Sequence, residues 1–141
     1  MDVDPQPLDS RRFPAALLRA IGFDRVLRTD PAIGLAEIRY IARDEQTHSD
    51  GTVVQGGFVT AWLDNAMAFA VTARDATAAI ATLELKVSFL DRASPGPVTA
   101  EARVVRWGRS VVFLDAELRS GDRLLARATS TAMRLRQDNS A

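Results

Sequence analysis

The chain has 141 residues, 47% of them apolar, with 18 basic and 18 acidic side chains. This length and composition indicate one domain with a real core, and zero formal net charge argues against the basic face that nucleic-acid binding needs. No cysteine and a single histidine are present, which excludes disulfides, thiolate or histidine-rich metal sites and a cysteine nucleophile. Without a signal-peptide pattern or an apolar run of membrane-span length, we expect a cytoplasmic protein with no nucleic-acid or membrane partner.

The first predicted elements precede residue 55. Residues 1–12 are expected to form a disordered lead, residues 13–136 a single domain, and residues 137–141 a frayed tail. Pro14 and Gly22 bound a short predicted helix, because proline favours the first helical position and glycine the position after the last. A period of two predicts strands over 23–29 and 35–42, and the polar stretch 43–54 predicts a loop.

Residues 55–74, QGGFVTAWLDNAMAFAVTAR, form the predicted central helix. After Gly56 and Gly57 the helix is almost continuously apolar, which is typical of a helix buried on most sides. Asp64 lies in its middle, too far from the start to act as a cap. Removing a carboxylate from water is costly unless the group is paired or protonated. Asp64 is therefore either a structural carboxylate satisfied by backbone donors or a catalytic group, and the cost of burial favours the catalytic role.

Four predicted strands follow the helix, over 80–90, 98–107, 111–119 and 123–134. In the first of them, strict alternation places Thr82 on one face and Leu83 on the other, with Leu85, Val87 and Phe89 on the side of Leu83. Short turns between consecutive strands require antiparallel pairing. The sequence predicts an α+β fold in which an antiparallel sheet of five or six strands wraps around one long central helix. Such a sheet leaves one flank of the helix open, and we expect a second copy to cover that flank.

The order of these motifs resembles hotdog-fold acyl-CoA thioesterases of the phenylacetate-degradation type. The resemblance covers residues 33–135 and rests on the glycine pair, an aspartate seven residues beyond Gly57, the strand order, and the segments 82–85, 104–110 and 121–126. It implies a hotdog fold, a homodimer or a dimer-of-dimers homotetramer, and hydrolysis of acyl-CoA thioesters with a small or aromatic acyl group. No metal or redox cofactor is implied, because the coenzyme A moiety is part of the substrate.

The resemblance also implies a composite site between subunits. Asp64 acts as nucleophile or as general base, two roles that the sequence does not separate. Thr82 orients Asp64 or the attacking water, and Gly56 of the neighbouring subunit offers its backbone N–H to the thioester oxygen. The last role also has an independent physical basis, because unpaired N–H groups at a helix start stabilise developing negative charge.

Two positions depart from the common family pattern. Gln55 stands in place of a histidine and Ser49 in place of an asparagine, both counted among the catalytic residues that the resemblance implies. Glutamine can form hydrogen bonds but does not titrate near neutral pH. The resemblance further implies coenzyme A contacts along a predicted hairpin turn, where plain solvent exposure is the alternative: Arg106, Trp107, Gly108, Arg109, Ser110 and Val111.

Two other functions compete with hydrolysis. A catalytically idle hotdog that binds acyl-CoA or serves as an assembly module is compatible with Gln55 and Ser49. A hotdog dehydratase or hydratase relies on an Asp–His pair, and the single histidine, His48, lies in the predicted loop before the helix.

Overall fold

The computed structural model describes residues 13–135, so the predicted lead 1–12 and tail 137–141 lie outside the described residues. Within them the chain forms two α-helices, α1 Ala15–Ile21 and α2 Gly56–Arg74. The strands are β1 Phe23–Asp30, β2 Leu35–Ala42, β3 Thr47–His48, β4 Val53–Val54, β5 Ile80–Phe89, β6 Gly96–Trp107, β7 Val111–Ser120 and β8 Arg123–Arg134. Every helix and every long strand predicted between residues 13 and 135 is present, with ends within two residues of those predicted.

Six strands form one sheet in the order β1-β2-β6-β7-β8-β5, and each neighbouring pair is antiparallel. The predicted architecture of an antiparallel sheet around one long helix is therefore confirmed, with six strands. The prediction of a plain loop over 43–54 is wrong in detail. That stretch contains a short 3-10 turn, Asp44–Gln46, and a hairpin in which β3 pairs with β4. Strands of two residues are too short to show a period in the sequence.

The core lies between α2 and the concave face of the sheet. Trp62, Leu63 and Met67 of the helix are almost fully buried, as are Ile38 and Tyr40 of β2. The opposite flank of α2 lies beside β5, where the sheet ends, and the side chains there are only half-buried: Thr60, Ala61, Asp64 and Ala68. Within residues 13–135, neither helix is long and apolar enough to cross a membrane.

A β-bulge in β5 changes which side chains face the helix. The pairing with β8 shifts between Thr82 and Glu84, so Thr82 lies opposite Ala132 and Leu85 opposite Ser130. Paired residues share a face of the sheet, and Ala132 and Ser130 are both buried. The prediction that Thr82 and Leu85 lie on opposite faces is therefore wrong, because the extra residue restarts the alternation. The bulge brings Thr82 to the helix side.

Candidate active site

Asp64 and Thr82 meet on the open flank of α2. Thr82 Oγ1 donates a hydrogen bond to Asp64 Oδ1 over 2.7 Å. Asp64 is half-buried, which is less than its central position in an apolar helix suggests, because it faces the sheet edge. Between residues 13 and 135 no cationic side chain lies within salt-bridge distance of it, and no donor contacts Oδ2. Oδ1 of the carboxylate thus accepts a hydrogen bond, whereas Oδ2 has no donor among the described residues. A structural carboxylate would instead be satisfied by backbone donors.

A buried hydrogen bond lies directly behind Asp64. The hydroxyl of Tyr40, which is fully buried, donates to Asn65 Oδ1 over 2.6 Å. Burial raises the pKa of Tyr40 well above its ordinary value of 10.0, and the negative charge of nearby Asp64 raises it further. This bond ties the core side of α2 to β2 at the residue next to Asp64. Sequence reasoning missed it, because no local pattern relates two residues 25 positions apart.

We predict that Tyr40 resists ionisation until the protein unfolds. Its pKa is raised in the folded state, so the unfolded chain loses its proton first, near pH 10, and the free energy of unfolding falls as the pH rises above that value. Tyr40 is the single tyrosine of the chain, so phenolate absorbance reports on this residue alone. The absorbance change should coincide with loss of circular dichroism. Phenolate formation near pH 10 in a folded protein would contradict the prediction.

The Tyr40→Phe variant shows how much the tyrosine hydroxyl contributes to stability and to its pH dependence. It leaves the buried Asn65 oxygen without its donor, so we expect a loss of about 1–3 kcal/mol in the free energy of unfolding at neutral pH. Above pH 10 its stability should fall less steeply than that of the native protein, because the tyrosine proton is absent. In Asp64→Asn, the Tyr40 pKa should remain raised but lie below that of the native protein, since the neighbouring charge is removed.

The start of α2 holds the other predicted site residues. Gly56 is the first helical residue, so its N–H has no acceptor within the helix. Gln55 precedes it with an exposed side chain that forms no capping hydrogen bond, while its backbone N–H donates to Gln46 O over 2.8 Å. Ser49 lies in the turn between β3 and β4 with φ 59°, and its Oγ is 2.9 Å from His48 Nδ1. Gln55 and Gly56 thus lie at the helix start, whereas Ser49 lies in the preceding β3–β4 turn.

A single chain does not bring the two groups together. Gly56 and Asp64 are eight residues apart on one straight helix, or about 12 Å at 1.5 Å per residue. The oxygen and the carbon of a thioester carbonyl are directly bonded, and an oxyanion donor lies about 3 Å from that oxygen. One thioester therefore cannot use both groups of the same chain. In the composite site that the resemblance implies, Asp64 and Thr82 form one half-site, and Gly56 and Gln55 form the other.

Two arginine side chains pack against the turn between β6 and β7. The guanidinium groups of Arg74 and Arg134 lie 5.0 and 4.6 Å from the centre of the Trp107 ring, within cation–π range. Arg134 also lies 3.4 Å from the carbonyl oxygens of Gly108 and Arg109. Of the residues that the resemblance assigns to coenzyme A, Arg106, Arg109 and Ser110 are exposed, and Trp107, Gly108 and Val111 are half-buried.

A groove of about 530 Å³ on the outer face of the sheet is not part of this site. Four of its charged lining residues pair across the strands, since Arg103 lies 4.0 Å from Asp115 and Arg127 lies 3.7 Å from Glu117. Asp64 lies on the opposite, helix-bearing side of the sheet. We therefore assign the groove no role in catalysis.

Comparison with known proteins defines the class to which this fold and site belong. Residues 51–127 match the sequence model of the thioesterase superfamily, more than half of the chain. The chain belongs to the thioesterase superfamily, and its sheet wrapped around α2 is a hotdog fold. The family is one of hydrolases that act on thioesters.

Three similar proteins indicate which type of thioesterase this chain resembles. The phenylacetic acid degradation-related protein of Ralstonia eutropha JMP134 is 35% identical with a TM-score of 0.77, and the match covers 84% of this chain and 89% of that one. A thioesterase family protein of Silicibacter pomeroyi is 28% identical with a TM-score of 0.77, covering 91% and 93%. A Saccharolobus solfataricus protein named "Putative esterase" is 32% identical over 108 residues, covering 76% of this chain and 71% of that protein. The resemblance to the phenylacetate-degradation type is confirmed.

Proposed function

We propose that this protein hydrolyses acyl-CoA thioesters with a small or aromatic acyl group, using Asp64 of one subunit and the Gly56 N–H of another. The observation that carries the proposal is the Asp64 carboxylate itself. It is held by Thr82 at 2.7 Å and lies on an open flank of the helix. A carboxylate so placed is oriented for chemistry, and family membership supplies the reaction class.

The reaction needs only water and the thioester. As general base, Asp64 takes a proton from water while the water oxygen attacks the carbonyl carbon. The resulting oxyanion accepts a hydrogen bond from Gly56 N–H, and its collapse breaks the carbon–sulfur bond; the leaving thiolate takes the proton held by Asp64, which gives the carboxylic acid and coenzyme A thiol. As nucleophile, Asp64 attacks the carbonyl carbon and expels the coenzyme A thiolate, which takes a proton from water, and a second water then hydrolyses the mixed anhydride to the carboxylic acid and free Asp64. The position of Asp64 is compatible with both the general-base route and the nucleophilic route.

The edge of the sheet supports assembly of the two half-sites. β5 is an edge strand of ten residues without proline, and Leu83 and Phe89 on it are more than half exposed. Long apolar edge strands are templates for pairing with another chain. In one chain, Asp64 contacts β5 at Thr82 and Gly56 contacts it at Phe89. Antiparallel pairing of two copies about a two-fold axis near the middle of β5 therefore moves the helix start of one copy toward Asp64 of the other. We propose a homodimer of this kind or a tetramer built from two such dimers.

The β6–β7 turn suits the phosphates of coenzyme A. The guanidinium groups of Arg74 and Arg134 lie over the Trp107 ring there, and the exposed Arg106 and Arg109 belong to the same turn. None of these four arginines pairs with a carboxylate of the described chain within 4.0 Å. Arginine is well matched to phosphate oxygens. The turn lies near the end of α2, with Arg74 ten residues or about 15 Å beyond Asp64. This separation leaves room for the long arm that joins the thioester to the phosphates.

Release of free thiol from a panel of acyl-CoA esters tests the function. We expect turnover of small or aromatic acyl-CoAs by the native protein. A protein that binds acyl-CoA tightly without releasing thiol would instead be the idle binding module that Gln55 and Ser49 suggest. Reversible addition of water to an enoyl-CoA without thiol release would favour the dehydratase or hydratase reading.

A further inference from the structure

Phe89 is the side chain that covers the start of α2. It ends β5 and pairs with Ala126, which is fully buried, so both face the helix side of the sheet. The Phe89 ring lies against the first helical residue, because a Cβ built at Gly56 would be 3.2 Å from Cζ and 3.3 Å from Cε1 of the ring. The ring therefore borders the N–H that the proposed function assigns to the thioester oxygen.

The exposure of Phe89 is unlike that of the aromatic residues in the core. Five aromatic side chains stack or pack edge-on in a buried cluster behind α2: Phe13, Phe23, Tyr40, Trp62 and Phe69. Phe89 is 57% exposed and lies within 4 Å of the Cβ position at Gly56. In a single chain, a large apolar face is thus exposed beside a hydrogen-bond donor. A ligand with an acceptor oxygen and an adjoining apolar group would contact both.

We infer that Phe89 is a specificity-determining residue whose ring packs against the acyl group of the substrate. The inference rests on the proposed function, in which the carbonyl oxygen lies on Gly56 N–H. The acyl substituent is bonded to the same carbonyl, so it lies within reach of the ring. An aromatic or bulky acyl group buries the exposed ring face, whereas an acetyl group covers little of it. Because Phe89 belongs to the Gly56 half-site, it selects the acyl group for the Asp64 of the other copy.

A purely structural role for Phe89 in the contact between two copies would give a different experimental result. If the ring serves only to hold two copies together along β5, its removal lowers the mass of the assembly and affects all substrates alike. If the ring instead selects the acyl group, its removal changes the preference between substrates and leaves the mass of the assembly unchanged. The two roles are therefore separated by one mass measurement and one ratio of rates.

The test compares Phe89→Ala and Phe89→Tyr in the full chain. Phenylacetyl-CoA and acetyl-CoA are the probes, and kcat/KM is measured for each. We expect Phe89→Ala to lower the ratio of phenylacetyl-CoA to acetyl-CoA efficiency about tenfold, mainly through KM. Phe89→Tyr keeps the ring and should keep the ratio. Leu27→Ala is the control, because Leu27 is a large apolar residue of β1, 40% exposed, at the opposite edge of the sheet from β5.

A second measurement does not depend on turnover. In the Asp64→Asn background, the Kd of phenylacetyl-CoA should weaken about tenfold on Phe89→Ala, and the Kd of free coenzyme A should not change. An unchanged ratio and Kd, an equal shift in Leu27→Ala, or loss of assembly mass would overturn the inference. Failure of the proposed function looks different: no thiol is released from any ester, while the acyl-dependent change in Kd persists.

Discussion

Replacement of Asp64 by asparagine is expected to lower kcat for thioester hydrolysis about 10²–10⁴-fold, the usual contribution of a positioned general base. The side chain keeps its size and its half-buried position, and its amide oxygen can still accept the hydrogen bond from Thr82. Basicity and nucleophilicity are lost together. KM should change little, because the proposed binding contacts lie at the helix start and the β6–β7 turn. Thiol release from the best substrate of the panel is the measurement.

The control for this prediction is Asp115→Asn. Asp115 is also a partly exposed carboxylate, but it lies on the outer face of the sheet, 4.0 Å from Arg103. Its replacement removes the same charge from the protein and should leave kcat near the native value. Native-like turnover by a folded Asp64→Asn protein would show that Asp64 is a structural carboxylate, which is the alternative that its sequence position leaves open.

The strand order and the central helix could be predicted because their signals are local. Alternating side chains define the strands on either side of α2, and short turns require antiparallel neighbours. Gly22, at the end of α1, has a left-handed backbone with φ 76°, which glycine adopts readily. Each of these signals spans only a few residues, so no knowledge of distant contacts is needed.

The details of the candidate site depend on contacts between distant parts of the chain. Whether Thr82 faces the helix is decided by one extra residue in β5, which is visible only in its pairing with β8. The bond between Tyr40 and Asn65 joins β2 to α2, and the Phe89 ring of β5 lies against Gly56 at the start of α2. Asp64 is half-buried because the sheet ends at β5. None of these relations leaves a period or a spacing in the sequence.

Random mixing of two inactive variants is expected to recover about one quarter of the native activity in the whole mixture if the site is composite. The first variant is Asp64→Asn. The second is Gly56→Pro, which removes the N–H donor and should lower kcat about 10²–10³-fold. Proline suits this position, because Gly56 is the first helical residue and Gln55 before it has ψ 133°, a conformation that proline favours in its predecessor. In a mixed dimer one site combines both intact groups and the other combines both defects. Random mixing makes half of the dimers mixed, and each of these has one active site of two.

Gly56→Ala separates the loss of the donor from the added bulk. Alanine keeps the N–H but places a Cβ 3.2 Å from the Phe89 ring, which is exposed enough to move by a few tenths of an ångström. We therefore expect Gly56→Ala to retain much more activity than Gly56→Pro. Co-expression with two different tags isolates the mixed dimers, which should have about one half of the native activity, and solution mass confirms their composition. Background activity in verified mixed assemblies of Asp64→Asn and Gly56→Pro would show that both groups act within one chain, and the 12 Å separation along α2 would then need another explanation.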